Sequence, residues 1–121
     1  MIKAILIYYF LLPTPERVVR ECERQDVLFP KIVASQYILE TGHGKSYNCK
    51  VRNNLFGLVN SSEKCYYSFF SWRQSVTAYK NKVQYKYKGG NYYKFLKELG
   101  YAEDKNYENK LKIIYKSIVI N

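Results

Sequence analysis

Glu40 is the residue whose type and setting suggest chemistry. It follows Gln36 by four positions and adjoins Leu39, at the end of a helical pattern that opens at Pro30 and stops at Gly42. The negative end of the helix dipole and partial burial both oppose ionisation there, so the pKa of the carboxyl is expected to rise. A carboxyl that keeps its proton near neutral pH can protonate a leaving oxygen, which is the work of a general acid. Glutamates at helix ends are mostly solvated surface groups, so the surroundings decide what this one means. Metal chemistry finds no support in the pattern. Cys22, Cys49 and Cys65 form no CxxC pair and His43 is the single histidine, so a structural zinc site is not expected; general-acid chemistry itself implies no metal or organic cofactor. Cys49 and Cys65 could close one bridge in an exported protein; three reduced thiols are the alternative.

The elements that must position Glu40 can be read from capping and periodicity. Thr14-Pro15-Glu16 has the hydroxyl, proline and acid of a helix start, followed by an apolar stripe of Val18, Val19 and Cys22, with Arg17, Arg20, Glu21 and Arg24 on the wet side. In the helix from Pro30, Ile32, Val33, Gln36, Tyr37 and Glu40 share one broad face, and residues 42–54 read as a polar loop. Leu55–Val59 and Cys65–Phe69 predict a small hairpin around the turn 60–64. Ser71 and Gln74 form a capping box before Trp72, Val76, Tyr79 and Val83. Tyr92, Phe95, Leu96 and Leu99 mark a fourth helix. Asp104 is expected to cap a fifth, with the face Tyr107, Leu111, Ile114 and Ile118. Five helices and one hairpin make an α+β class that is mainly α.

A chain of 121 residues supports one domain, taken as 1–121, with an apolar N-terminal segment at 1–12 that is either signal-like or packed on the domain. No run reaches the ~18–20 apolar residues of a membrane span. The formal charge of +10 favours a polyanionic partner, and 14 tyrosines among lysines suit sugars or stacked bases.

Four motifs then resemble one family in order. Ala34-Ser35-Gln36-Tyr37-Ile38-Leu39-Glu40-Thr41-Gly42-His43-Gly44-Lys45-Ser46 is similar to a segment of the bacterial endo-β-N-acetylglucosaminidases of flagellar and autolysin type. Asn53-Asn54-Leu55-Phe56-Gly57, Phe69-Phe70-Ser71-Trp72-Arg73-Gln74-Ser75 and Gly100-Tyr101-Ala102-Glu103-Asp104-Lys105-Asn106-Tyr107 resemble the segments that follow in that family. The departures are His43 where a tryptophan is common, Lys105 in place of a proline, and a short hairpin.

The resemblance implies a lysozyme-like fold with a sugar cleft between a helical lobe and a small β-lobe. It implies a peptidoglycan hydrolase cleaving β-1,4 bonds of the glycan strand, with Glu40 as catalytic acid and Tyr101 and Tyr107 lining the cleft. Gln36, His43, Asn54, Phe56 and Trp72 fall on motif positions expected to bind substrate, although Trp72 and Tyr107 also fit apolar helix faces. The family's second carboxylate is sought in the β-lobe, which points to Glu63 as a water-orienting group; the substrate's own N-acetyl oxygen is the alternative nucleophile. The expected partner is therefore the glycan strand, bound by a monomer in the cell envelope or outside the cell. Two other readings stand beside this one: a catalytically inactive glycan-binding domain, and a basic nucleic-acid-binding module built on the lysine–tyrosine run 79–88.

Overall fold

Thr14 opens the first helix, α1 (Pro15–Arg24), as predicted: its hydroxyl accepts from the Arg17 amide at 3.2 Å, and Pro15 occupies the first turn, where no amide hydrogen is needed. The computed structural model describes residues 11–101 and 104–120, so most of the apolar segment 1–12 lies outside the described residues. Val18, Val19 and Cys22 are buried as expected. Glu21, expected to be wet, is buried as well. Its carboxylate accepts from Gln25 at 2.7 Å and from the Arg73 guanidinium at 3.2 Å. A charge is tolerated in an interior only with such partners.

Helix α2 (Pro30–Thr41) begins after Phe29, whose φ of 53° turns the chain into it, and ends at Gly42 with φ 57°, the left-handed cap that glycine permits without strain. It is the central helix, packed against α1 and against the last helix. It is therefore buried nearly all round rather than along the one face predicted. The expected polar loop that follows contains a further single turn of helix, α3 (Tyr47–Lys50), capped by the Ser46 hydroxyl accepting from the Cys49 amide at 3.2 Å.

The hairpin is smaller than predicted. Strands β1 (Val59–Asn60) and β2 (Cys65–Tyr66) pair antiparallel, Val59 opposite Tyr66 and Asn60 opposite Cys65. Residues 55–58 do not extend the strand because the Asn54 side chain captures that stretch. Its Nδ2 donates to the Leu58 and Tyr67 carbonyls at 2.9 and 3.0 Å, and its Oδ1 accepts from the Leu58 amide at 3.0 Å.

Helix α4 (Trp72–Lys82) starts at Ser71, whose hydroxyl accepts from the Arg73 amide; Gln74 reaches back one residue farther than a capping box requires, to the Phe70 amide at 2.8 Å. A 3₁₀ turn (Gln84–Lys86) leads to α5 (Tyr92–Glu98) and then α6 (Tyr107–Ser117). Asp104 does not cap α6. It accepts from the Asn106 amide at 2.8 Å and pairs with Lys110, while Asn106 takes the cap position. Among the described residues there are thus six α-helices and one two-stranded sheet, an α+β fold that is mainly helical, and no helix is long and apolar enough to cross a membrane. The three cysteines are free thiols, Cys22 and Cys49 buried and Cys65 exposed. Two apolar clusters form the interior. The larger joins α1, α2 and α4; the smaller is built from Ile32, Tyr92, Leu96, Tyr107 and Leu111.

Candidate active site

Two stretches far from Glu40 in sequence, 54–58 and the one carrying Tyr101 and Tyr107, come together around it. From α6, the Tyr107 hydroxyl donates to Glu40 Oε1 at 3.2 Å. From the 54–58 turn, Gly57 faces Glu40 Oε2: a Cβ there would stand 3.7 Å from that oxygen. From the segment before α6, Tyr101 stacks on Tyr107, rings 6.4 Å apart and 14° from parallel, and donates to the Phe56 carbonyl at 2.6 Å. Tyr101 thereby ties the 54–58 turn to the base of α6.

Local chemistry explains why α2 ends where it does. The Thr41 hydroxyl donates to the Tyr37 carbonyl at 2.6 Å and accepts from the Gly44 amide at 2.7 Å. Gly44 itself has φ 82°, and a Cβ there would lie 2.8 Å from the Tyr37 hydroxyl. The Thr-Gly-His-Gly sequence is a stop that fixes the last turn of α2 and with it the Glu40 backbone.

Glu40 is an exposed residue whose carboxyl is nonetheless crowded on one side. Loss of hydration pushes its pKa above the ordinary glutamate value, and the Tyr107 hydrogen bond pulls in the opposite direction by favouring the charged form. The rise agrees with the sequence expectation, and its main cause is burial. Tyr101 and Tyr107 are both held neutral, their hydroxyls pushed well up by burial.

The remaining predicted residues divide into two groups. Gln36, Asn54 and Phe56 are at most 1 % exposed. Gln36 and Phe56 pack behind Glu40, and Asn54 is turned into the 54–58 turn, so all three are covered by the protein itself. Gln36 donates to the Tyr107 hydroxyl at 3.2 Å; Phe56 packs on Tyr79 with ring centroids 4.7 Å apart. Trp72, for which the sequence left a sugar contact and an apolar helix face both open, is a core residue 3 % exposed, its indole N–H donating to the Leu11 carbonyl at 2.7 Å. A helix-face tryptophan after a cap is pulled inward by the area it buries.

His43 is exposed with φ 61° and borders a surface pocket of about 380 Å³ with Pro13, Asn53 and Phe70; Glu40 does not line that pocket. Glu63 is exposed in the β1–β2 turn, where its amide donates to Asn60 Oδ1 at 3.4 Å and its carboxylate lies 3.8 Å from the Cys65 thiol. Neither residue is brought to Glu40 by a recorded contact. Two residues that the sequence reading left in apolar stripes prove polar in function: Tyr79 and Tyr92, whose hydroxyls meet at 2.7 Å in the core. The signal was Gln36, a buried-face amide that had to find partners. No group of three or more His, Cys, Asp or Glu among the described residues is placed to hold a metal ion.

This arrangement can hold one partly desolvated carboxyl, with Oε1 bonded to Tyr107 and Oε2 turned toward Gly57, the one residue of its turn without a side chain. The family model described as mannosyl-glycoprotein endo-beta-N-acetylglucosaminidase, the glucosaminidase family, matches residues 16–119. No curated protein gives a significant match.

Proposed function

The chain belongs to the glucosaminidase family, a family of glycoside hydrolases, and we propose that it cleaves β-1,4 bonds of peptidoglycan glycan strands as an endo-β-N-acetylglucosaminidase of the flagellar and autolysin kind. The observation that carries this reading is Glu40 itself: a carboxyl with a raised pKa, at a helix end, facing the Gly57 turn. In this reading Glu40 gives its proton to the glycosidic oxygen as the bond breaks and positive charge develops on the sugar ring. Tyr107 steadies the carboxylate that remains. Tyr101 keeps the turn and the base of α6 at a fixed distance. The substrate's N-acetyl oxygen supplies the nucleophile in this reading, because Glu63 makes its contacts within the hairpin, with Asn60 and Cys65, and none with Glu40. A net charge of +10 draws the protein to acidic wall polymers and raises its encounter rate at low salt.

Purified sacculi digested with the protein, followed by mass spectrometry of the released muropeptides, test the proposal. N-acetylglucosamine at the new reducing ends is the expected product. N-acetylmuramic acid there would reassign the bond, and binding without release would make the domain a glycan binder.

A further inference from the structure

Behind Glu40 runs a series of buried polar groups that the mechanism above leaves unused. It begins at the backbone of Leu28. The Leu28 amide donates to Gln84 Oε1 at 2.9 Å, and Gln84 Nε2 donates to the Leu28 carbonyl at 2.8 Å. A backbone N–H can only donate and a backbone carbonyl can only accept, so these two bonds fix which end of the Gln84 amide is which. Gln84 Nε2 also donates to the Tyr92 hydroxyl at 3.0 Å. The Tyr92 hydroxyl meets that of Tyr79 at 2.7 Å; Tyr79 donates to Gln36 Oε1; Gln36 Nε2 donates to the Tyr107 hydroxyl at 3.2 Å; and Tyr107 donates to Glu40 Oε1 at 3.2 Å.

Direction within the tyrosine pair follows from satisfaction. If Tyr92 donates to Tyr79, the Tyr79 hydrogen is left for Gln36 Oε1, and each group in the series has a partner. The reverse direction strands the Tyr92 hydrogen and leaves Gln36 Oε1 without a donor. Gln36, Tyr79, Tyr92 and Gln84 are all buried, where an unmade hydrogen bond is expensive. The whole series therefore points one way, from Leu28 to Glu40.

We propose that Gln84, Tyr92, Tyr79 and Gln36 are positioning residues, a one-way donor relay whose polarity is set by the Leu28 backbone and which keeps Glu40 Oε1 an acceptor, so that the transferable proton is carried on Oε2. Oε2 is the oxygen that faces Gly57. The relay thus selects the oxygen that gives up the proton, and at Gly57 no side chain stands against it. The catalytic half of this statement rests on Glu40 being the acid; the relay itself does not.

The titratable groups against the Glu40 carboxyl are Tyr107 from α6 and Tyr101 from the segment preceding it, both neutral across the pH range of interest, while the 54–58 turn contributes glycine. A change in Glu40 titration on altering the relay is therefore a change in its hydrogen bond. Tyr79→Phe is the informative variant. It keeps the ring against Phe56 but removes the donor to Gln36. The Gln36 amide then gains by turning over, so that Oε1 accepts the Tyr107 hydrogen and takes it from Glu40. Gln36→Leu, by contrast, removes the competitor and leaves Tyr107 donating to Glu40.

Two measurements test this. In the unaltered protein, NMR should place the Gln36 side-chain amide protons beside the Tyr107 ring; finding them beside Tyr79 would overturn the relay. The Glu40 carboxyl, followed by its ¹³C chemical shift, should titrate higher in Tyr79→Phe by roughly half to one pH unit and stay near the original midpoint in Gln36→Leu. The alkaline limb of kcat/KM on sacculi should move with it while KM holds. A folded Tyr79→Phe protein with an unmoved midpoint, or equal shifts in both variants, would refute the proposal. Should Tyr79→Phe not fold, the amide-proton measurement decides alone. If the relay measurements succeed but Glu40→Gln hydrolyses sacculi at full rate, the catalytic reading of Glu40 has failed and the relay has not.

Discussion

Behind Glu40, Gln36, Tyr79, Tyr92 and Gln84 are buried and bonded in series between helices; in front of it, past Gly57, residues 61–66 of the hairpin are all exposed and its strands are two residues long. The two regions have opposite construction: the first bonds to the carboxyl through Tyr107, and the second is joined to it only through the Gly57 turn. The helical side fixes a hydrogen-bond direction, at the cost of placing many hydroxyls and amides in an apolar interior. The hairpin side gives up burial and keeps accessible backbone and side chains, Glu63 among them. Preorganised groups suit a charge that must be held the same way at every turnover. An open hairpin suits contact with a long polymer that arrives and leaves. In the proposed mechanism the chemistry belongs to the helical side.

The largest effect should come from the residue at the boundary. Glu40→Gln keeps the acceptor for Tyr107 but has no proton to transfer, so sacculus hydrolysis should fall by ~10²–10⁴ while binding is retained. Its stability should move the other way. A carboxyl whose pKa is raised by folding contributes stability below its unfolded value and loses it as the pH climbs through the folded one. Thermal denaturation at neutral pH should therefore find the glutamine variant at least as stable as the parent, with the advantage vanishing in acid. A smaller effect is expected at the turn. Gly57 has φ 64°, so Gly57→Ala should cost about 1–2 kcal/mol in denaturant titrations. It also sets a methyl against Oε2, so activity should drop beyond the loss in folded fraction. Smallest of all is the hairpin: Glu63→Gln should reduce turnover only a few-fold. A loss as deep as that of Glu40→Gln would move half the chemistry to the hairpin and break the comparison.

The difference between the regions also explains what could be read in the sequence. Helix starts at Thr14 and Ser71 and the stop at Gly42 were legible because each is set by one side chain or one glycine acting on its own backbone. Four-residue α3 was not, since a single turn has no periodicity to show, although Ser46 carried its cap. The strands were overextended because Leu55, Phe56 and Leu58 are as apolar as strand residues; it is the Asn54 side chain, not a partner strand, that satisfies their backbone. The raised pKa of Glu40 was legible from its place at the helix end, and its candidacy as an acid from the motifs around it. Its partners were not. A tyrosine at a helix-face position reads as bulk, and whether its hydroxyl also finds an amide 43 residues away is decided only when α2 and α4 pack. Gln36 and Trp72 sit at motif positions whose side-chain type is visible in the sequence while its direction is not; both point inward here.

In the proposed mechanism Glu40 is both the desolvated carboxyl and the group that gives up the proton. Its titration can be followed by ¹³C NMR in the same preparation whose kcat/KM on sacculi is recorded against pH. The account predicts that the alkaline limb of the rate profile coincides with the Glu40 midpoint, both above the ordinary glutamate value. A Glu40 midpoint in the ordinary range, or an alkaline limb standing well apart from it, would contradict the claim that this carboxyl is the acid.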